Sequence, residues 1–266
     1  MKRGMDRAGW MLLLASLPLL LFLSVPLFAL ILRTSSGDVL SALFDPPVAK
    51  AIQLSIVTTL ITTGVSVCAG TPLAYLLARR KFVGRTIVDV LIDLPIVLPP
   101  SVAGIALLVA FGRRGLFGPA LHNLQIDIPF TETAVILAQL FVASPFFIKS
   151  AAAGFATVDR DLEQAAAIDG ASPTKIFWTV TLPLSLPAVA GGAVMTWARA
   201  LGEFGATIIF AGNFPGRTQT MPLAIYMGFE IDLKVALTLA LILLILSFLT
   251  LATVKGLLRR RIALFN

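Results

Sequence analysis

Five stretches of this chain, 8–32, 51–78, 94–112, 176–198 and 235–254, contain no charged side chain. A helix needs roughly 20 apolar residues, at about 1.5 Å each, to cover the ~30 Å hydrocarbon core of a bilayer. All five meet or nearly meet that length. A sixth stretch, 133–148, is shorter; it reaches spanning length through Phe155 if the Lys149 ammonium snorkels toward the interface. Hydrophobic residues make up 58% of the chain and charged ones 13%, against about 25% charge in a soluble domain. An apolar excess of that size cannot be hidden inside a globule of 266 residues. The chain therefore reads as an all-α polytopic membrane protein with about six spans.

The first stretch follows Lys2, Arg3 and Arg7, as a signal peptide would. Its apolar run exceeds the roughly 7–15 residues of a signal core, and no small-x-small cleavage site follows. It reads as a retained anchor. With the N-terminus inside, fourteen Lys and Arg fall in cytoplasmic segments: Lys2, Arg3, Arg7, Arg79, Arg80, Lys81, Arg85, Lys149, Arg160, Lys175, Lys255, Arg259, Arg260 and Arg261. Six fall opposite: Arg33, Lys50, Arg113, Arg114, Arg217 and Lys234. That bias predicts both termini in the cytoplasm. The net charge of +7 then reports topology and contact with anionic lipid. No nucleic-acid partner is expected, because the basic residues sit in short blocks at span ends. Cys68 is the only cysteine, so no intrachain disulfide is possible; it reads as a small packing residue. His122 stands alone in an external loop and makes no metal site by itself.

Proline punctuates the spans. The run Asp93-Leu94-Pro95-Ile96-Val97-Leu98-Pro99-Pro100 joins an acid to three prolines. Each proline removes a helical hydrogen bond, which a membrane tolerates where neighbours or a water-lined cavity satisfy the freed carbonyls. Pro95, Pro99 and Pro100 are thus candidates for shaping a pathway or gate, with shape-fitting in a packed bundle as the plainer reading. One cytoplasmic segment, about 157–182, is long and polar. Acids suit the start of a helix there, Leu162–Ile168 has helical periodicity, and Gly170 is placed to end it. Ser172-Pro173 is a cap-then-first-turn pair for a second helix. Two short helices joined at a glycine make a docking element.

Gln164-Ala165-Ala166, three residues, Gly170, nine residues, then Val180-Thr181-Leu182-Pro183 resembles the cytoplasmic signature of ABC importer permeases. In that family Glu stands where this chain has Gln164, and Ile where it has Val180. The resemblance implies a type I importer permease fold, with loop 157–182 forming coupling helices seated in a groove on an ATPase subunit. Leu162, Glu163, Gln164, Ala165, Ala166 and Gly170 become the expected docking residues, although Glu163 presents its acid from a different helix face than Gln164.

A second stretch, Arg199-Ala200-Leu201-Gly202-Glu203-Phe204-Gly205-Ala206-Thr207, with Thr218-Gln219-Thr220-Met221-Pro222 beyond it, resembles the permeases of molybdate and tungstate importers. Sulfate and thiosulfate permeases are close relatives. Arg199 and Glu203 fall four residues apart on one helical face, toward the external end of the fifth span. A guanidinium can offer an oxyanion two parallel hydrogen bonds, yet Glu203 beside it repels a dianion. A structural or gating role is expected for the pair. Gly191, Gly192, Gly202 and Gly205 would permit close helix contact nearby.

No Gly-Lys pair occurs in the chain, so it has no P-loop of its own. No catalytic residue, metal ligand or cofactor is expected. The resemblance implies a single permease domain, 1–266, in the inner membrane of a prokaryote. It also implies separate cytoplasmic ATPase subunits, an external binding protein and a second permease copy around one pathway. A sulfate importer is the near alternative, an ATP-independent transporter the more distant one, and nothing supports a membrane enzyme.

Overall fold

A computed structural model describes residues 6–264. Lys2 and Arg3 of the basic count lie outside the described residues, and of Arg7, Lys255, Arg259, Arg260 and Arg261 only the backbone is described. The described chain is helical throughout and has no strand. In order it forms α1 (Arg7–Arg33), α2 (Ser36–Leu43), α3 (Pro46–Arg79), α4 (Arg85–Val97), α5 (Pro100–Phe111), α6 (Gly118–Asn123) and α7 (Glu132–Thr157). Then come α8 (Arg160–Ile168), α9 (Pro173–Ile176), a π-helical turn (Phe177–Thr181), α10 (Leu182–Leu201), α11 (Gly205–Phe210), α12 (Met221–Ile231) and α13 (Leu233–Leu264).

Helix α7 is the hub, packed along both α3 and α10. Its N-terminal half carries Ala134, Val135, Ala138 and Val142 into a cluster with Ala103 and Leu107 of α5 and Phe210 of α11. Its C-terminal half carries Phe147, Ile148, Ala151 and Phe155 into another, with Ala74 and Leu77 of α3, Ile92 of α4 and Val189 of α10. A third cluster joins Val48 and Ala51 of α3 to Ala224 of α12 and Leu239 of α13. Helix α1 stands outside this bundle against α13, with Trp10, Leu20 and Phe28 exposed.

The third expected span, 94–112, is not one helix. Helices α4 and α5 meet at a 118° bend. The cause is local: a residue before proline avoids the α region, and both Leu98 (ψ 136) and Pro99 (ψ 134) are extended. Pro100 then opens α5 at its first position, where a missing N–H is harmless. The two pieces pack at opposite ends of α7, α4 on its C-terminal half and α5 on its N-terminal half, the arrangement of a broken span. With the five unbroken helices long and apolar enough to cross a membrane, the pair counted as one span makes six.

Lys149 does not snorkel. Its Nζ lies 2.8 Å from Asp89 Oδ1 and 2.8 Å from Asp93 Oδ2, one turn apart on α4. Cys68 is exposed on α3 rather than packed inside the chain. The second loop helix is also not separate: α9 runs through the π turn into α10 as one stretch, Pro173–Leu201.

A buried polar stripe, Ser55, Thr58, Thr59, Thr62 and Ser66, runs along α3. Most of it bonds back to the helix, as Thr59 does to Ser55 O (2.6 Å) and Ser66 to Thr62 O (2.7 Å). Gln139 of α7 crosses to it, accepting from Thr62 Oγ1 (3.0 Å) and donating to Thr58 Oγ1 (3.2 Å). Interhelical bonds of this kind contribute only about 1 kcal/mol in membranes, since the freed hydroxyls find backbone carbonyls. Gln139→Leu is therefore expected to lower thermal stability in detergent only slightly. A loss several times larger would mean that Thr58 and Thr62 cannot turn back to their own helix.

Candidate functional site

At the cytoplasmic end of the bundle, loop 157–182 is built by its own capping residues. Asp159 accepts from Asp161 N (3.0 Å) to open α8. At its end, Gly170 N donates to Ala167 O (3.0 Å) and Ala171 N to Ala166 O (3.0 Å). These paired bonds are a Schellman closure, which requires a left-handed residue after the cap; Gly170 has φ 85. Ser172 then accepts from Lys175 N (3.3 Å) ahead of Pro173 at the start of α9. The loop is thus ordered by local hydrogen bonds before any partner arrives.

No residue of α8 is fully buried. Leu162 and Ile168 are 50% and 86% exposed, and Gln164, Ala165 and Gly170 are exposed beside them, with Ala166 partly so. Leu162, Ala165 and Ile168 recur every three residues and line one edge of the helix. Glu163 differs. Its carboxylate turns back into the chain, where Oε1 lies 3.2 Å from Arg79 Nη2 and accepts from Thr181 Oγ1 (2.6 Å). The same Arg79 Nη2 donates to Val158 O (2.8 Å). Arg79 and Thr181 were absent from the sequence-based site, since 84 residues separate Arg79 from Glu163 and nothing local marks the pair.

The second candidate region lies at the other end of α10. That helix stops at Leu201, and Gly202 caps it, so Glu203 does not continue the helical face of Arg199. Instead it sits in the turn leading to α11 at 1% exposure. Glu203 Oε2 is 2.6 Å from Arg199 Nη1, and Oε1 accepts from Ala206 N (2.8 Å). The carboxylate thereby holds a first-turn N–H of α11 while neutralising a guanidinium. Pro100 belongs to this region: a Cβ on Gly205 would sit 2.8 Å from Pro100 Cβ. Pro99 is at the adjoining bend, whereas Pro95 is buried within α4, a turn earlier. Of the four candidate glycines, Gly192 and Gly205 make close contacts and Gly191 and Gly202 do not. Thr218, Gln219 and Thr220 are buried, and Met221 N donates to Ser55 Oγ (2.7 Å) just after them, so that motif anchors α12 on α3. Among the described residues no group of three or more His, Cys, Asp or Glu could hold a metal.

Residues 70–263 match the family of binding-protein-dependent transport system inner membrane components. The chain belongs to that family. Among similar proteins, the molybdenum transport system permease protein ModB of Mycobacterium bovis is 42% identical over 230 residues, 86% of each chain. The probable transport system permease protein NifC of Clostridium pasteurianum is 38% identical over 86% of this permease and 81% of its own length. The molybdate/tungstate permease WtpB of Thermococcus kodakarensis is 36% identical over 86% and 87%. Two solved ABC importers share the fold. A bacterial alginate importer superposes with a TM-score of 0.75 over 96% of both chains at 16% identity. The inward-facing methionine transporter MetNI superposes at 0.61 over 80% of this permease and 94% of its own chain, at 18% identity. The expected type I importer permease architecture is the one observed.

Proposed function

We propose that this permease carries molybdate or tungstate from an external binding protein to the cytoplasm by alternating access. It does so as one of two copies in the inner membrane of a prokaryote. The copies are driven by separate ATPase subunits docked on α8. The observation that carries the ATP-driven part is the exposed, locally capped α8, whose apolar edge faces water unless a partner covers it. Leu162, Gln164, Ala165, Ala166 and Gly170 form the docking face, and the alanines allow close approach to a groove. The choice of anion rests on likeness to the molybdenum and tungstate permeases.

The second copy has support of its own. Lys149, Asp89 and Asp93 are 34%, 51% and 47% exposed in one chain, although all lie in spanning segments. Charges at that depth avoid lipid and face a partner or a water-filled cavity. Arg199, Glu203, Pro99 and Pro100 form an external gate region in this reading, with Pro95 stiffening its approach. The whole chain works as one domain.

The test is ATPase activity of the reconstituted permease with its co-purifying ATPase and binding protein, comparing molybdate, tungstate, sulfate and thiosulfate. Stimulation by molybdate or tungstate is the expected result. Stimulation by sulfate alone would reassign the anion. Failure of any ATPase to co-purify would remove the docking reading.

A further inference from the structure

Three segments far apart in sequence converge on one carboxylate oxygen beneath the docking helix. Arg79 is the last residue of α3, Glu163 lies on α8, and Thr181 is the last residue of the π turn. Arg79 and Glu163 have side chains only 7% and 17% exposed, so this is no solvated surface pair of small value. Through Val158 O, Arg79 also holds the residue that enters the loop. Both ends of the loop are therefore pinned to the end of α3.

The π turn adds to the argument. Leu182 N donates to Phe177 O, five residues back, so the helix carries one residue more than α geometry allows there. Such turns are rare, occur mostly as single-turn bulges inside α-helices and are frequent at functional sites. This one is held at both ends, by Glu163 at Thr181 and by Tyr75, whose ring stands 5.3 Å from that of Phe177 and 5.8 Å from that of Phe155. A push on α8 already has a covalent route into α10 through α9. The Arg79–Glu163 contact adds a second route, into the 34-residue α3, which carries the polar stripe and the Ser55 bond to α12.

We propose that Glu163 is a positioning residue that locks α8 to α3, so that displacement of the docking helix drives α3 and α10 together. The inference rests on the docking reading of α8. Unlike the neighbouring docking residues, Glu163 acts on the rest of the permease rather than on the ATPase.

The test uses the complete transporter in liposomes, with molybdate as the transported probe. Glu163→Gln and Thr181→Val are compared with the exchange Arg79→Glu/Glu163→Arg. Glu163→Gln is expected to retain the ATPase subunit and its hydrolysis while importing about tenfold less anion per ATP, the scale of an ordinary coupling free energy. The exchange restores the ion pair but not the bond to Val158 O or the Thr181 donation, so it is expected to recover part of that loss. A second readout needs no transport: spin labels at Arg80→Cys and Ile168→Cys, in a Cys68→Ser background, should give a narrow distance distribution that broadens with Glu163→Gln. Unchanged coupling with an unchanged distribution overturns the proposal. So does loss of the ATPase subunit from Glu163→Gln, which would make the carboxylate a direct docking contact. If the parent retains no ATPase, the docking reading fails by itself, and the label distances still decide whether Glu163 locks α8 to α3.

Discussion

Glu203→Ala is expected to be the most damaging single substitution away from the docking loop, costing at most about 3–5 kcal/mol, the range for losing one partner of a fully buried ion pair, since the Arg199 side chain is 29% exposed. Two groups lose their partner at once. Arg199 Nη1 loses the oxygen at 2.6 Å, and Ala206 N loses its acceptor at 2.8 Å. Ala206 N has no water to turn to beside a site with 1% exposure, whereas the Arg199 side chain is only partly cut off from other partners. Glu203→Gln should be milder, because an amide oxygen still accepts from Ala206 N. The guanidinium then remains uncompensated, so the variant falls between wild type and alanine. Adding Arg199→Met to Glu203→Gln should recover stability, since no unpaired charge is left. Melting of the four proteins in one detergent gives the order directly. If the double variant melts lowest, the pair contributes more than mutual neutralisation, and the uncompensated-charge account is wrong.

Gly154→Leu has the second large expected effect, and its cause is space rather than charge. A Cβ at Gly154 would lie 2.4 Å from Ala188 Cβ, nearer than real carbon atoms approach. The same seam has Gly192 against Ser150 Cβ at 2.8 Å, and Ser150 Oγ donates to Ala188 O across it at 2.8 Å. Small residues let α7 and α10 touch along their backbones, which is how helices gain packing energy where lipid supplies no hydrophobic drive. Leucine must part them, at about 3 kcal/mol, the upper part of the range for overpacked interiors. Even alanine should be felt. Because α10 continues into α9, the displaced helix takes the docking loop with it, so ATPase retention should fall along with the melting temperature. A Gly154→Leu protein that melts like wild type would show that the seam is loose and the contact incidental.

The spans were legible because charge is a coarse and reliable mark: lipid excludes it, and its gaps fall where α1, α3, α7, α10 and α13 run. The form of loop 157–182 was legible for a different reason. Its ends are set by residues acting on their own neighbours, Asp159, Gly170 and Ser172, and such caps follow from side-chain chemistry alone. Legibility fails where the deciding contact is distant or where a local signal has two outcomes. Leu98-Pro99-Pro100 could kink a span or break it; packing of α4 and α5 on opposite halves of α7 selects the break. Lys149 could reach for the interface or for an acid, and only the fold brings Asp89 and Asp93 within 2.8 Å. Spacing suggested that Glu203 shared a helix face with Arg199, but Gly202 ends the helix first. Glu163 looked like a neighbour of the docking alanines, and only the approach of α3 turns its carboxylate inward.

Helix α1 has a consequence in evolutionary terms. Its spanning window is 0% buried within the chain, whereas that of α7 is 56% buried. Lipid asks little of a side chain beyond being apolar, so wherever the second copy leaves it uncovered α1 is free to exchange leucine, valine, phenylalanine or methionine as generations pass. Helix α7 has no such latitude, because each of its buried faces answers to a particular neighbour. A lineage of such permeases would therefore diverge fastest in its first helix while keeping that helix's length and greasiness intact. Ancestry would be hardest to trace there, and the chemical character of the segment would be among the easiest things to foresee.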